Sequence, residues 1–442
     1  MRHSSLSSSI LSRAFLLWPF FSATNASHSR TRAQLQEADG TSSSSISTTL
    51  FADLERLSRL VDVSYCIGST GVRKPFDCLS RCKEFPGLSL QTTWSTGPLM
   101  GDSCGYIAVD SGEGQGRRQQ QQQQQTGAIV VAFRGTYSIA NTIVDLSTVP
   151  QEYVPYPAPS QPPSSPESKR RSDEESPSPS MEQGAPCNNC TVHLGFWESW
   201  QMAREIVLPQ LKSLREKYPS HQLHLVGHSL GGAVACLAAL ELKLSHGWGT
   251  DQDMVVTTFG EPRVGNHQLA RFIDRTFNLT VSSPSLPSSS LPSSSSPSSS
   301  LDAEQRTYRR ITHINDPVPL LPLDEWGYRP HGGEIFISKQ ELQPTEADVR
   351  ICLGDSDPEC SVGAETGILG HVRRLLHFAS ASSSVDEFIG ARNLPTRFKL
   401  WQLFFAHRDY FWRLGLCVPG GDPANWRGGK WGSGDAGASG EL

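Results

Sequence analysis

Ser229 stands at the centre of the sequence GHSLG (227–231), a G-x-S-x-G pattern. A short apolar run at 223–226 precedes the pattern, and an alanine-rich run at 233–244 follows it. This order predicts a strand, a sharp turn and a helix, and the turn would hold the serine in a strained backbone conformation with its hydroxyl exposed. A chance glycine-rich turn is the alternative, but the flanking strand and helix favour a nucleophilic serine.

A serine hydroxyl is a poor nucleophile at neutral pH, so the chain must also supply a base, a carboxylate that orients the base, and donors for a developing oxyanion. In chains with this serine turn, the acid and the histidine follow in sequence. Asp316 is the favoured acid because it directly follows a strand-like run, 309–314, and active sites of α/β proteins gather at such strand ends. An Asx-turn before Pro317 is the alternative.

The other acids considered are Asp251, Asp253, Asp274, Asp302 and Asp324. Asp274 is predicted to lie on the solvated face of an amphipathic helix, and Asp302 falls in a Ser/Pro tract. The candidate bases are His313, His331, His371, His377 and His407. His407 lies in an aromatic stretch near the end of the domain, LFFAHRDYFWRLGLC (403–417). From the residues alone, a packed core histidine and a catalytic base both remain open at this position.

Strand-like and helix-like segments alternate along the chain. Strands are predicted at 106–110, 128–133, 223–226, 254–259 and 309–314, and helices at 48–65, 196–217, 232–246 and 266–276. Such alternation is typical of an α/β fold with a largely parallel sheet. The predicted domain spans 48–420, between a Ser/Thr-rich segment (27–47) and a Gly-rich tail (421–442). Polar inserts at about 111–126, 154–186 and 282–303 cannot bury enough apolar surface to fold, so we expect them to be disordered.

The first 26 residues have the pattern of a secretory signal peptide, in which basic residues precede an apolar run and small residues follow. The apolar run, 14–21, is too short to span a bilayer, and the sequence predicts no transmembrane segment elsewhere. Ten cysteines agree with an oxidising compartment, so the protein is predicted to be secreted and extracellular. The net charge of −5 does not suggest a nucleic-acid partner.

Two further sequence features were weighed as binding or modification sites. Cys187 and Cys190 form a C-x-x-C pair, but the sequence offers no second pair, so a zinc site is disfavoured and no metal or cofactor is predicted. Asn189 and Asn278 lie in N-glycosylation sequons. A glycan on Asn189 would compete with a disulfide at Cys190, so Asn278 is the predicted glycosylation site.

Several blocks of the chain resemble the fungal lipase-type, or class 3, α/β-hydrolases, which include triacylglycerol lipases and feruloyl esterases of filamentous fungi. In family order they are VVAFRGT (130–136), CNNCTVHLGF (187–196), VGHSLGG (226–232), TTFGEPRVGN (257–266), RRITHINDPVPLLP (309–322), GYRPHGGEIF (327–336) and AHRDYF (406–411). The resemblance implies an α/β-hydrolase-like fold with helices on both faces of a mostly parallel central sheet. It implies Ser229 as nucleophile, Asp316 as orienting acid and His407 as base, with Thr136 and Leu230 donating to the oxyanion.

The resemblance also implies how the cysteines pair. It implies disulfides Cys66–Cys417, Cys78–Cys82, Cys187–Cys190 and Cys352–Cys360, which leaves Cys104 and Cys236 unpaired. Cys236 lies inside the predicted helix after the serine turn and is most simply interpreted as a small buried hydrophobic residue.

In this family a short helix after the FRG block covers the active site and moves at a lipid surface. The matching residues are 138–146, where Ile139, Ile143, Val144 and Leu146 could form an apolar underside. An ordinary surface helix is the alternative. These apolar residues favour a secreted triacylglycerol lipase that acts on a lipid ester at a lipid–water interface. A feruloyl esterase-type aryl ester hydrolase and an inactive family member are the other readings, and the oligomeric state stays open.

Overall fold

A large β-sheet forms the centre of the structure and carries packed side chains on both faces. In the part of the chain that the structure describes, the sheet has eight strands: β1 (Leu88–Ser95), β2 (Cys104–Asp110), β3 (Ala128–Phe133), β4 (Gln222–His228), β5 (Met254–Phe259), β6 (Tyr308–His313), β7 (Glu334–Ile337) and β8 (Val349–Ile351). Strands that follow one another in the numbering β1 to β8 also lie side by side in this sheet. The strands β3 to β7 run parallel, and β1, β2 and β8 add antiparallel edges.

The computed structural model describes residues 46–97, 103–112, 127–136, 146, 150–152, 187–249, 253–279, 304–355, 357–362, 405–419 and 422. All of them belong to one unit, Ser44–Leu442. The predicted signal peptide, most of each polar insert, and Ile139, Ile143 and Val144 of the predicted lid lie outside the described residues. Leu146 is described and is buried.

Within the described ranges, the α-helices are α1 (Thr48–Val63), α2 (Leu194–Lys217), α3 (Leu230–His246) and α4 (His267–Phe277). Ser47 and Asn266 cap α1 and α4, because their side chains accept backbone N–H groups of the first turn. α3 is buried without interruption from Leu230 to Leu242, which explains its alanine-rich, nearly charge-free sequence. Among the described helices, none is both long and apolar enough to cross a bilayer.

Alternate residues of the central strands face two separate cores. In β3, Ile129, Val131 and Phe133 pack with α2, α3 and α4, whereas Val130 and Ala132 pack with α1 and the aromatic residues near the C-terminus. Because both faces of the sheet are covered, its parallel strands can be apolar along their whole length. The predicted α/β fold with helices on both faces is therefore confirmed.

A smaller antiparallel sheet joins segments that flank the helices. Its strands, in spatial order, are Tyr328–Arg329, Gly265–Asn266, Thr191–His193 and Pro150–Glu152. A two-stranded ribbon pairs Val72–Arg73 with Asp77–Cys78. The small sheet connects the start of α2 and the start of α4, so these two helices begin side by side.

The structure contains the disulfides that the family resemblance implies. Cys66 pairs with Cys417 across 351 positions, and the other three bridges are local: Cys78–Cys82, Cys187–Cys190 and Cys352–Cys360. Cys104 and Cys236 are free and buried. The long bridge fastens the end of α1 to the C-terminal segment that carries His407.

The borders of the folded part extend slightly beyond the predicted domain. Ile46 is buried and Ser47 caps α1, although both fall in the segment predicted to be disordered. At the other end, Asp422 lies in the predicted Gly-rich tail, yet it is buried and 3.0 Å from the guanidinium of Arg408. Asn278, the predicted glycosylation site, is exposed in a left-handed conformation at the end of α4.

Candidate active site

Ser229 forms the junction between β4 and α3. Its backbone adopts φ 58° and ψ −130°, a region that L-residues rarely occupy. The Ser229 N–H donates to the carbonyl of Phe259 on the neighbouring strand at 2.9 Å, which fixes the turn to the sheet. The predicted strained turn at the carboxyl edge of the sheet is what the backbone shows. The prediction of an exposed Ser229 was wrong, because the side chain is buried, with 1% of the residue exposed.

The glycines of the pattern permit this turn by their lack of a side chain. A Cβ at Gly227 would lie 2.2 Å from the carbonyl oxygen of Gly231. A Cβ at Gly231 would in turn lie 2.3 Å from the carbonyl oxygen of Phe133 on β3. Each contact is with backbone that cannot move aside, so both positions require glycine. This explains why a glycine stands two residues before and two residues after Ser229.

Asp316 and His407 form a buried pair. Asp316 lies in the turn after β6, where its Oδ1 accepts the N–H of Val318 at 2.9 Å. Nδ1 of His407 lies 3.0 Å from both carboxylate oxygens of Asp316. The hydroxyl of Tyr410 donates to Oδ2 of the same carboxylate. Three donors therefore converge on one carboxylate inside the protein.

These contacts decide the charge state of Asp316. Burial alone would raise the pKa of Asp316. The nearby His407 and the hydrogen bonds from His407, Tyr410 and Val318 outweigh burial, so the pKa of Asp316 lies below its ordinary value. A carboxylate that stays ionised can hold the Nδ1–H tautomer of His407, which leaves Nε2 as the basic nitrogen.

The second ring nitrogen of His407 differs from the first in its hydrogen bonding. Nε2 of His407 is buried and has no hydrogen-bond partner among the described residues. The ring of His407 stacks on the ring of His228 at 4.8 Å between centroids, and His228 directly precedes Ser229. The structure thus brings all three predicted triad residues to one edge of the sheet.

The predicted oxyanion donors lie on the loop after β3 and at the start of α3, beside the serine. Thr136 follows β3, and a Cβ on the preceding Gly135 would lie 2.7 Å from Cβ of Ser229, so this loop and the serine turn are in van der Waals contact. Leu230 is the first residue of α3. N–H groups of a helix first turn have no partner within the helix, and the helix dipole makes that end attractive to an anion.

His228 is a functional candidate that the sequence analysis did not single out. Its Nδ1 lies 2.5 Å from the hydroxyl of Tyr65, and its Nε2 lies 2.8 Å from the backbone carbonyl of His407. Its position inside the serine motif was the available signal. No signal in the sequence pointed to its two partners, Tyr65 and His407, because they lie 163 and 179 positions away.

The other candidate acids that the structure describes, Asp253, Asp274 and Asp324, take structural roles. Asp274, predicted to be solvated, is instead buried, and its Oδ1 accepts the N–H of Gly332 at 2.7 Å. Burial raises the pKa of Asp274. Asp253 pairs with Arg215 at 2.6 Å, and Asp324 pairs with Arg329. Asp251 and Asp302 lie outside the described residues, as do His371 and His377.

A separate polar cluster lies in the core against α3. Glu261 accepts hydrogen bonds from Thr258 at 2.6 Å and Tyr308 at 2.9 Å, and Nε2 of His331 lies 2.9 Å from its second oxygen. Cys236 adjoins Glu261 and His331 closely enough for the three to meet on one ion. Burial and Glu261 raise the pKa of the Cys236 thiol well above its ordinary value, whereas metal binding needs the thiolate. We therefore interpret the cluster as a hydrogen-bonded support beneath α3.

Comparisons with known proteins agree with this geometry. A family profile described as Lipase (class 3) matches residues 130–326. Secreted mono- and diacylglycerol lipase 2 of Gibberella zeae is 56% identical over 87% of this chain and 86% of its own. Lipase A of Sodiomyces alcalophilus is 51% identical over 88% of this chain and 87% of its own.

A solved structure supports the same conclusion. The crystal structure of Lip2 lipase from Yarrowia lipolytica has a TM-score of 0.59 and 27% identity, and the match covers 85% of this chain and 97% of that one. The predictions of a secreted lipase and carboxylic ester hydrolase are therefore confirmed. High identity over most of the sequence, together with the strained serine turn on an α/β-hydrolase sheet, shows that the chain belongs to the class 3 lipase family.

Proposed function

We propose that this lipase hydrolyses acylglycerols through an acyl-enzyme on Ser229, with His407 as the general base and Asp316 as the residue that orients it. One observation carries the proposal. A buried Asp316 carboxylate holds Nδ1 of His407 at 3.0 Å, while Nε2 of His407 has no hydrogen-bond partner among the described residues, and the ring stacks on His228, directly before the strained Ser229.

The proposed reaction proceeds in two halves. Ser229 Oγ attacks the ester carbonyl while Nε2 of His407 takes its proton, and the new imidazolium donates from Nδ1 to ionised Asp316. The tetrahedral intermediate collapses, the C–O bond to glycerol breaks, and His407 returns the proton to the leaving alcohol. A water then attacks the acyl-enzyme with His407 again as base, which releases the fatty acid and restores Ser229.

Oxyanion stabilisation is assigned to the loop after β3 and the first residue of α3, on either side of Ser229. In the proposal, the Leu230 N–H and the Thr136 N–H and hydroxyl donate to the oxygen that becomes negative. Donors fixed in advance at such a site need no reorganisation during the reaction, and loss of one costs about 100- to 1,000-fold in kcat.

Ser229→Ala tests the proposed nucleophile. We expect the variant to lose at least about a million-fold in kcat, as removal of a catalytic serine does elsewhere. Ser199→Ala is the matched control, because Ser199 is a buried serine on α2 outside the site. Hydrolysis of emulsified acylglycerol at the wild-type rate by Ser229→Ala would remove Ser229 from the mechanism.

The substrate range is tested by rates on emulsified triacylglycerol, diacylglycerol and monoacylglycerol, with methyl ferulate as the aryl ester comparison. We expect hydrolysis of the acylglycerols, and a rate confined to methyl ferulate would contradict the proposal. A preference for mono- and diacylglycerols over triacylglycerol is a second candidate. It is favoured by the name of the Gibberella zeae relative, which is 56% identical.

We also propose that the enzyme works at a lipid–water interface, since long-chain acylglycerols present their ester bonds there. The apolar residues predicted for the lid, Ile139, Ile143 and Val144, support this proposal. The expected result is a rate that rises steeply when a short-chain acylglycerol passes its solubility limit. A rate that follows simple saturation across that limit would argue against interfacial activation.

A further inference from the structure

We propose that Tyr65 and His228 are positioning residues that tie the backbone of the catalytic histidine to the oxyanion loop. This inference rests on the proposed function, because it assigns a task in the Ser229–His407 reaction. It concerns residues that lie outside the Ser-Asp-His set. The supporting observations are a continuous series of buried hydrogen bonds and their chemical direction.

The direction of the first bond follows from its acceptor. Nε2 of His228 lies 2.8 Å from the carbonyl oxygen of His407, and a carbonyl only accepts, so His228 donates from Nε2–H. In a neutral imidazole the other nitrogen is then an acceptor. Nδ1 of His228 consequently accepts a hydrogen bond from the hydroxyl of Tyr65, whose oxygen lies 2.5 Å away.

The hydroxyl oxygen of Tyr65 also receives a donor from the oxyanion loop. The backbone N–H of Gly135, directly before Thr136, hydrogen-bonds to it. A Cβ at Gly135 would lie 2.7 Å from this hydroxyl and 2.7 Å from Cβ of Ser229, so the three groups are in close contact. The series therefore runs from Gly135 N–H through Tyr65 and His228 to the carbonyl of His407.

His228 has the protonation state that this series needs. Burial and the neighbouring His407 lower the pKa of His228 to about 3. The ring is therefore neutral, with one donor and one acceptor nitrogen, wherever His407 can act as a base. His228 is 2% exposed and Tyr65 is 2% exposed, so water does not compete for these bonds.

This support is independent of Asp316. Asp316 holds the imidazole of His407 through Nδ1, whereas His228 holds the main chain of the same residue. Stacking of the two rings at 4.8 Å adds a second contact between His228 and His407. Because His228 is covalently joined to Ser229, the distance between nucleophile and base is set through His228. An error of about 1 Å in such an arrangement can cost about 100-fold in rate.

Two substitutions at His228 separate its two bonds. His228→Gln places an amide N–H near the former Nε2 and keeps the donor to the His407 carbonyl. His228→Asn is shorter, so it keeps a polar group near the former Nδ1 beside Tyr65 but does not reach His407. His228→Leu removes both polar ends at similar volume. The readout is kcat and KM on soluble p-nitrophenyl butyrate, with the thermal midpoint of each variant measured alongside.

We expect the wild type to have the highest kcat and His228→Gln the next highest. His228→Asn and His228→Leu should both lose about 10- to 100-fold in kcat, with KM little changed. Tyr65→Phe should reduce kcat by itself and add little in the His228→Leu background, because both residues act through one series of bonds. Equal kcat for Gln and Asn, or losses that follow the thermal midpoints alone, would overturn the proposal. So would full additivity of Tyr65→Phe and His228→Leu.

Ser229→Ala, measured in the same assay, distinguishes this proposal from the proposed function. If Ser229→Ala is inactive while His228→Leu keeps the wild-type kcat, only the positioning proposal fails. If Ser229→Ala keeps its activity, the proposed catalytic mechanism fails, whatever the His228 variants do.

Discussion

At the scale of single residues, Asp316 shows how a buried carboxylate is kept ionised. His407, Tyr410 and the N–H of Val318 all donate to it, and together they offset the cost of burial. Tyr410 gains a fixed orientation in return, and burial with the adjoining Asp316 raises the pKa of its hydroxyl well above the ordinary value. Tyr410 is therefore a neutral donor throughout the working range.

Tyr410→Phe should reduce kcat/KM about 10- to 100-fold, because a hydrogen bond to a charged group contributes about 1.5–3 kcal/mol. The loss of a donor that lowers the pKa of Asp316 also lets that pKa rise. Asp316 would then become protonated at a higher pH, and the acidic limb of the pH–rate profile should move to higher pH. Tyr106→Phe is the matched control, since Tyr106 donates to the Leu60 carbonyl at 2.8 Å away from the triad. An unshifted acidic limb would contradict the role given to Tyr410.

At the scale of elements, the last turn of α1 contains a buried acid that joins it to the C-terminal segment. Oδ1 of Asp62 accepts the N–H of Gly415 at 2.8 Å, and its Oδ2 lies 3.6 Å from Nε of Arg81. Burial raises the pKa of Asp62 to about 7, although Gly415, Arg81 and Arg408 lower it and Asp422 raises it further. The contact between α1 and the C-terminal segment is therefore coupled to the protonation of Asp62.

The sign of the pH effect follows from this shift. Between about pH 4, where an exposed aspartate loses its proton, and about pH 7, the folded chain holds a proton that the unfolded chain has released. The contribution of Asp62 to the free energy of unfolding therefore falls as pH rises through this window. Asp62→Asn should flatten that slope in denaturant titrations at successive pH values.

Asp348→Asn is the control for the Asp62 prediction. Burial is the largest single effect and raises the pKa of Asp348, but the hydrogen bonds from Thr345 and the charge of Lys339 together outweigh it. The pKa of Asp348 therefore lies below its ordinary value, and its contribution to stability is lost as pH falls below about 4. Its removal should leave the slope between pH 4 and pH 7 as in the wild type. Identical slopes for wild type and Asp62→Asn would show that Asp62 does not titrate in that window.

At the scale of the whole molecule, the Cys66–Cys417 bridge closes a loop of 351 positions and fastens the segment that carries His407. In the chain-entropy view, a bridge across so long a loop stabilises by roughly 6 kcal/mol, whereas one across 4 positions gives about 2 kcal/mol. The long bridge should therefore dominate the disulfide contribution to stability.

Double replacement of Cys66 and Cys417 by serine should lower the free energy of unfolding more than double replacement of Cys78 and Cys82. Denaturant unfolding under non-reducing conditions measures both changes. A larger loss for the Cys78 and Cys82 pair would indicate that local geometry, and not loop closure, governs the stabilisation.

The local architecture of the site was predictable from the sequence. The apolar run, the glycine spacing around Ser229 and the alanine-rich helix are set by neighbours in the chain, and the observed β4, turn and α3 follow that pattern. Strands β1, β7 and β8 were not predicted. A register shift between Leu90 and Thr92 breaks the alternation of β1, and β7 and β8 are too short to show a period.

The sequence alone therefore determined the residue types, the serine turn and the order of strands and helices, because backbone sterics and side-chain periodicity act over a few residues. Tertiary structure decided which distant groups meet. His228 reaches the carbonyl of His407 across 179 positions, and Asp274, with an exposed-looking helical pattern, is buried against Gly332. Such pairings depend on how the sheet and the long disulfide bring chain ends together, and no local pattern encodes that.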